Sequence, residues 1–298
     1  MPLNRRKFLA ISGLPLILKT VPAWPADSAG LFVCMHEMTS INFDFRTAME
    51  GYARAGIRAV EVDLGKVREF SQKESPAAAR RLLDDLGLKA VSSSNQLFLE
   101  EPGPRRLQSL EDLKWKVEMA EIIGADRLVT PSAAGNSHTM EDYDEVIANL
   151  REAADIARPH NVTLMVEHTR LSTLINNLRT ALMVVRQAAH PNLKVMLDTF
   201  HFWSGMSKFE DLELLEMGEL HHLHFEDIPG NLPLEMFGQA SRVFPGQGIA
   251  PLHKIIQVLK SKGYSGPVSL ELFDPKIQSM DPYEVAMRAK KSIEPFIT

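Results

Sequence analysis

Four short apolar stretches in the second half of the chain each end in a side chain that could bind a metal ion or carry a proton. The four residues are Glu167, Asp198, His224 and Glu271. Charged residues on buried strands are uncommon unless they are paired or bind metal. Two glutamates, one aspartate and one histidine form a hard, oxygen-rich donor set that suits a divalent ion and leaves positions for substrate. The set predicts one divalent metal, Mn²⁺ first, with Mg²⁺, Co²⁺ or Zn²⁺ as alternatives.

The alternation of side chains along a strand separates the histidines of the third of these stretches. His222 and His224 share one face, and His221 lies on the other. His224 lies nearest the end that the other candidate ligands reach, so it is the predicted ligand. His222 is one layer deeper and is expected to be a hydrogen-bonded core residue. His201 follows three residues after the aspartate and is expected to donate to substrate, with metal ligation as the alternative.

Weaker candidates for substrate contacts lie near the same predicted edge. His36 ends the first apolar stretch, and Glu61 lies near the end of the second. Polar residues at the ends of parallel strands are often solvated, so position is the only reason to single them out. Trp203 follows His201 and is a candidate for stacking on a sugar ring, with packing inside a loop as the alternative. The predicted substrate-binding set is therefore His201, Glu61, His36 and Trp203.

A repeating helix-then-strand unit must position these residues. Gly56, Gly87 and Gly124 each end a helical pattern and precede a short apolar run, as helix-terminating glycines do. This alternation predicts a (β/α)8 TIM barrel forming a single domain over 30–298, with the active site at the carboxyl ends of the strands. A doubly wound open sheet is the alternative, but no Gly-x-Gly-x-x-Gly follows the first strand. The eight strands are expected near 32–37, 57–63, 88–93, 127–131, 163–167, 193–198, 220–225 and 268–272.

Composition excludes several classes of protein. The 298 residues are 45% hydrophobic and 24% charged, which is typical of a globular domain and not of a disordered chain. A formal net charge of −5 argues against a nucleic-acid partner, since binding of that kind needs a basic surface. The single cysteine, Cys34, allows no internal disulfide and is expected to be a small buried side chain.

The first 23 residues are predicted to be a Tat signal peptide and not part of the fold. Arg5 and Arg6 begin a twin-arginine pattern, and an apolar run from Phe8 to Leu18 follows them. That run is too short for a membrane-spanning helix, which needs about 20 residues. Small residues around Ala23 form a cleavage site, so the chain is expected to be exported by the Tat route to the periplasm. After cleavage we expect no stable membrane association.

Four motifs occur in a characteristic order: D-x-x-H from Asp198, H-x-x-D from His224, G-x-G from Gly246, and G-Y-x-G-x-x-x-x-E ending at Glu271. This order resembles the xylose-isomerase-like TIM barrels, the sugar phosphate isomerase/epimerase family, over essentially the whole mature chain. The resemblance implies one divalent ion held by Glu167, Asp198, His224 and Glu271. It also implies that Glu167 and Glu271 are catalytic, one removing a proton and the other returning one, through a metal-stabilised enediolate. His201 is implied as a substrate-binding donor.

Two differences from members of this family argue against particular activities. Ketose 3-epimerases of the family have an arginine six residues after the histidine ligand, and this chain has Gly230 there. That difference argues against epimerisation of free ketohexoses. Endonuclease IV shares the barrel but draws further metal-binding histidines partly from strands two to four, whose predicted ends contain none here. DNA repair is therefore not expected.

Three functions remain open from the sequence. The first is a metal-dependent sugar isomerase or epimerase that abstracts a proton next to a carbonyl. The second is a keto-sugar lyase or hydratase, for example on a 3-keto-glycoside, which would expel a neighbouring substituent after the same abstraction. The third is a non-catalytic sugar-binding barrel, which would not require four metal ligands. Each implies a small carbohydrate partner, and the sequence leaves a homo-oligomer open.

Overall fold

The computed structural model describes residues 30–94, 103–135 and 138–298. The predicted signal peptide, residues 1–23, lies outside these ranges. Among the residues described, no helix combines the length and apolar character needed to cross a bilayer.

Eight parallel strands close into a barrel, which confirms the predicted fold class. Each strand pairs with the next, and the first and last close the ring through pairs such as Val33 with Val268. The observed boundaries differ from the predicted ones by at most two residues. The strands are β1 Phe32–His36, β2 Ala59–Asp63, β3 Lys89–Ser94, β4 Arg127–Pro131, β5 Thr163–Glu167, β6 Leu193–Asp198, β7 Leu220–His224 and β8 Pro267–Leu270.

Helices surround the barrel, and local signals set their ends. Ser75 caps one of them by accepting the N–H of Ala78, and Gly87 ends it at φ +67°, as its position in the sequence predicts. The helices are α1 Phe45–Arg54, α2 Leu64–Lys73, α3 Pro76–Leu86, α4 Pro104–Ile123, α5 Asp142–Ala157, α6 Leu178–Ala188, α7 Thr199–Ser204, α8 Leu252–Ser261, α9 Pro275–Gln278 and α10 Pro282–Ile297.

The barrel interior changes from apolar to polar toward the carboxyl ends of its strands. Apolar side chains pack inside, where Cys34 lies fully buried against Ala59 and Val91, as expected for it. At the carboxyl end, parallel pairing sets His36 beside Glu61 and Asp198 beside His224. The closed sheet therefore brings the predicted site residues to one mouth.

Candidate metal centre

The four predicted ligands meet at this mouth. One donor atom from each of Glu167, Asp198, His224 and Glu271 lies within 4.8 Å of the others, and all four side chains are buried. The Nδ1 atom of His224 is 3.5 Å from Oε1 of Glu167, 3.8 Å from Oδ2 of Asp198 and 3.3 Å from Oε2 of Glu271. The closed sheet explains this meeting, because β5, β6, β7 and β8 are consecutive around the barrel.

Two atoms of this cluster indicate that a cation fits among them. Oε1 of Glu167 and Nδ1 of His224 are buried and have no hydrogen-bond partner. Buried polar atoms are normally paired, so atoms left unpaired and aimed at one point indicate a missing ligand. Three carboxylates and one imidazole nitrogen converging in this way fit a divalent ion.

Glu61 lies beneath the cluster and determines which nitrogen of His224 faces the other ligands. Its Oε2 atom is 3.1 Å from Nε2 of His224, 2.7 Å from Nε2 of His222 and 3.2 Å from the Ser269 hydroxyl. Three histidines outweigh the effect of burial and hold the pKa of Glu61 well below its usual range, so the carboxylate only accepts. Nε2 of His224 therefore carries a proton, and Nδ1 is left to bind metal.

His36 belongs to a second group of potential ligands, with Glu61 and His224. The backbone N–H of Met38 donates to Nδ1 of His36, so the neutral ring carries its proton on Nε2. That Nε2 atom lies 3.5 Å from Glu61 and 3.3 Å from Glu271. The Nε2 atom of His36 therefore faces these two carboxylates without a hydrogen bond to either, and His36 lies outside the group of Glu167, Asp198, His224 and Glu271.

The sequence interpretation missed Arg242, which is 2% exposed and lies inside the site. Its Nη1 atom donates to Oδ2 of Asp198 and Oε2 of Glu271, each at 2.7 Å. Nε and Nη2 donate to Gln239, and the aromatic rings of Phe200 and Phe273 lie against the guanidinium. A signal was present, since Arg242 is the only basic residue between the H-x-x-D and G-x-G motifs.

The loop after β7 carries Arg242 and is held by Asp227, the aspartate of the H-x-x-D motif. The Asp227 carboxylate accepts the backbone N–H groups of Gly246, Gly248 and Ala250. A Cβ at Gly248 would lie 2.1 Å from a backbone oxygen, so only glycine allows the loop to come this close. The two motifs therefore act together, and they place a guanidinium in the site although this chain has Gly230 at the position where the ketose 3-epimerases have an arginine.

A cavity of about 530 Å³ opens above the cluster. His36 and His201 line it, as expected of substrate contacts. Glu61 has a different place from the expected one, because it is fully buried beneath the ligands. Trp203 is also absent from the described lining, and its side chain on the short helix α7 is 38% exposed.

The two glutamates of the cluster differ in proton affinity. Burial raises the pKa of Glu167 to about 7, and His224 only partly offsets this effect. Burial acts in the same direction on Glu271, but the charges of His224 and Arg242 outweigh it and lower its pKa to about 2. Two carboxyl groups with separated pKa values are what an acid and base pair requires.

Comparison with known proteins gives relatives along nearly the whole barrel. A family model described as xylose isomerase-like TIM barrel matches residues 50–294. An inosose isomerase from Halalkalibacterium halodurans is 33% identical, covering 87% of this chain and 93% of the relative. A 3-dehydroshikimate dehydratase from Pseudomonas putida is 26% identical over 76% of this chain but only 35% of its own length. A D-psicose 3-epimerase from Enterocloster bolteae is 23% identical over 77% of each chain.

Solved structures share the fold. A 1.8 Å crystal structure of IOLI protein with a bound zinc atom has a TM-score of 0.82 at 22% identity, covering 90% of this chain and 98% of that one. A D-psicose 3-epimerase from Clostridium cellulolyticum with D-tagatose has a TM-score of 0.71 at 18% identity, covering 90% of this chain and 98% of that one.

Proposed function

Because the chain belongs to the xylose isomerase-like TIM barrel family, we propose that it is a divalent-metal-dependent sugar isomerase or epimerase that transfers a proton at a carbon next to a carbonyl. The observation that carries this proposal is the convergence of Glu167, Asp198, His224 and Glu271 on one point beneath an open cavity. The inosose isomerase and psicose epimerase relatives support the isomerase class. Mn²⁺ is the proposed ion, and the zinc of the IOLI protein makes Zn²⁺ the first alternative.

The bound ion would act as a Lewis acid that withdraws charge from a carbonyl and an adjacent hydroxyl, which acidifies the C–H of the hydroxyl-bearing carbon. Glu167 and Glu271 come from β5 and β8, with two strands between them, so their carboxylates approach the cavity from different directions. We assign proton removal to one and proton return to the other. Asp198 and His224 hold the ion.

Three further residues orient this chemistry. Arg242 fixes the carboxylates of Asp198 and Glu271 through its two 2.7 Å hydrogen bonds. His201 lines the cavity, with the backbone N–H of Arg170 lying 3.2 Å from its Nδ1 atom and Nη2 of Arg242 lying 3.2 Å from its Nε2 atom. Burial lowers the pKa of His201 to about 3, so the ring is neutral, and its place in the cavity lining supports a contact with a substrate oxygen. His36 also lines the cavity, where its Nε2 atom faces Glu61 and Glu271.

A keto-sugar lyase is the second candidate, and the dehydratase relatives are the observation that favours it. Proton abstraction would be the same, followed by loss of the substituent on the next carbon. A non-catalytic sugar-binding barrel is less well supported, because binding alone does not require three buried carboxylates around one imidazole. Export by the Tat route to the periplasm remains our proposal for where the enzyme acts, on the basis of the N-terminal sequence.

Solvent-deuterium exchange followed by NMR tests this function. The protein is loaded with Mn²⁺ or treated with chelator and given inososes, ketohexoses, aldoses and 3-keto-glycosides. We expect metal-dependent deuterium incorporation next to the carbonyl, with the product distinguishing an isomer or epimer from an eliminated glycoside. Metal-loaded protein that binds these sugars without exchange would contradict the proposal and favour the binding role.

A further inference from the structure

We propose that the cavity takes an uncharged polyhydroxy substrate and discriminates against phosphate esters and carboxylates. This inference rests on the proposed function and narrows its substrate class. The ionisable groups that line the cavity are acidic or imidazole side chains, apart from Arg242. The sequence of residues 95–102 and 136–137, which lie outside the described residues, contains no lysine or arginine.

The guanidinium nitrogens of Arg242 already bind other side chains of the protein. Its Nη1 atom is shared between two carboxylates, its Nε and Nη2 atoms bind Gln239, and Nη2 also lies 3.2 Å from Nε2 of His201. Phe200 and Phe273 lie 4.9 Å from the guanidinium carbon and restrict its movement. Turning toward a substrate anion would break charge-assisted bonds in a buried site, and these are about twice as strong as neutral ones.

The next guanidinium, on Arg170, is also engaged. Thr169 and Leu171 on either side of it line the cavity. Its own nitrogens donate to the carbonyl oxygens of Ser204, Phe237 and Leu234, at 3.2, 2.7 and 3.0 Å. Arg170 therefore joins the loops after β5, β6 and β7, and its N–H groups are not directed to the substrate.

The place where TIM barrels often bind phosphate is filled by the protein's own carboxylates. That place is formed by the loops after the seventh and eighth strands and the start of a short helix. Here Asp227 takes the backbone N–H groups of the glycine loop after β7. Asp274 accepts the N–H of Lys276 and caps the short helix α9 after β8. The four N–H groups that bind Asp227 and Asp274 are therefore not left for a phosphate.

Charge balance leads to the same conclusion. The carboxylates of Glu167, Asp198 and Glu271 are balanced by the Arg242 guanidinium together with one divalent ion. Asp63 lines the rim and adds negative charge, while capping α2 through the N–H of Lys66. An anionic substituent would enter a site with no unpaired positive group, and desolvating it there is costly.

Binding of matched pairs of sugars tests the inference. The probes are D-fructose against D-fructose 6-phosphate, and myo-inositol against myo-inositol 1-phosphate, measured by the relaxation of their protons in the presence of the Mn²⁺-loaded protein. We expect each uncharged sugar to bind at least about ten-fold more tightly than its phosphate ester, since like charges repel across a complex. A phosphate ester that binds as tightly as its partner, or more tightly, would overturn the inference.

A variant with an added cation checks the cause of the preference. Ser94 lines the cavity wall outside the ligand cluster, so Ser94→Arg should raise affinity for the phosphate esters while metal content stays unchanged, and Ser94→Ala is the matched control. Ester affinity that does not rise in Ser94→Arg would contradict the charge explanation.

Deuterium exchange separates this inference from the proposed function. Faster exchange on a phosphate ester than on its sugar would overturn the charge preference and leave the proton transfer intact. Bound uncharged sugars without exchange would overturn the function and leave the charge preference intact.

Discussion

The two halves of the barrel mouth contribute different chemistry. The half built by β5 to β8 supplies the four candidate ligands and, through the loop after β7, Arg242. The half built by β1 to β4 supplies two buried polar residues, His36 and Glu61, the charged rim residue Asp63, and a neutral wall formed by residues that include Ser94 and Ser132. The groups that we propose for proton transfer and metal binding are thus concentrated on one side, and the other side supplies groups that would orient them and form the cavity wall. Substitutions on the two sides should therefore differ in their effects on reaction rate, stability and metal affinity.

Glu271→Gln should have the largest effect, because the amide keeps the shape of the side chain but cannot accept a proton. Loss of a positioned acid or base costs about 10²–10⁴-fold in rate, so we expect a fall in that range. Deuterium exchange measures the rate, and elemental analysis measures the metal retained. Turnover close to wild type would show that Glu271 does not take part in the mechanism. It would also contradict the assignment of proton transfer to the β5 to β8 half of the mouth.

Arg242→Ala should destabilise the fold strongly, because it leaves Asp198 and Glu271 without the partner that they share. Removing one member of a buried ion pair costs about 3–5 kcal/mol. Denaturant unfolding of the chelated protein checks this. Arg170→Ala is the matched control and should cost less, because its partners are neutral carbonyls and its guanidinium is partly exposed. Equal effects of the two variants would count against a special role for Arg242.

Glu61→Gln tests whether the β1 to β4 half acts through the ligands of the other half. The variant loses the carboxylate that holds Nε2 of His224, so the affinity for Mn²⁺ should fall by about 10–100-fold. Titration calorimetry measures this affinity. Glu37→Gln is the control, since Glu37 is also buried beside β2 but accepts only the N–H of Asp63. Unchanged affinity in Glu61→Gln would show that this half does not influence the metal.

Ser94→Ala should have a small effect on catalysis, because at most one hydrogen bond to substrate is lost. Such bonds contribute about 0.5–1.5 kcal/mol, which corresponds to a change of about 2- to 13-fold in kcat/KM. Steady-state kinetics with the best sugar of the exchange panel measures it. A loss as large as that of Glu271→Gln would mean that the neutral wall takes part in the chemistry.

Glu37→Gln should leave catalysis unchanged and alter the dependence of stability on pH. Burial, and then the charge of Asp63, raise the pKa of Glu37 well above its usual range, so the folded state holds a proton there. A raised carboxyl pKa reduces stability as pH rises above the unfolded value of about 4.3. The variant should therefore gain stability relative to wild type above that pH, as seen in thermal unfolding at several pH values. A difference that is constant with pH would contradict this assignment.

The sequence was most informative where local pattern and strand position coincide. The helix-to-strand alternation predicted eight strands to within two residues, and the ends of β5 to β8 predicted which side chains would meet. Parallel strands bring their carboxyl ends together, so a residue's place along a strand is enough to place it at the mouth.

The sequence did not predict the positions of residues that are set by the path of a loop or by how deep a side chain lies inside the barrel. Arg242 lies in an irregular segment whose path follows from the Asp227 carboxylate binding distant glycine N–H groups, and periodicity does not reveal such contacts. The place of Glu61 beneath the ligands is set by hydrogen bonds to residues of β7 and β8. These strands are distant from β2 in the sequence, so the local pattern around Glu61 does not reveal the contacts. The orientation of Trp203 depends on how α7 packs, which its neighbours in sequence do not determine.

Anomalous diffraction from crystals soaked in Mn²⁺ tests the central claim most directly. We predict one strong peak within coordination distance of Oε1 of Glu167, Oδ2 of Asp198, Nδ1 of His224 and Oε2 of Glu271. A peak between His36 and Glu61, or no peak in a crystal of folded protein with millimolar Mn²⁺, would contradict the account.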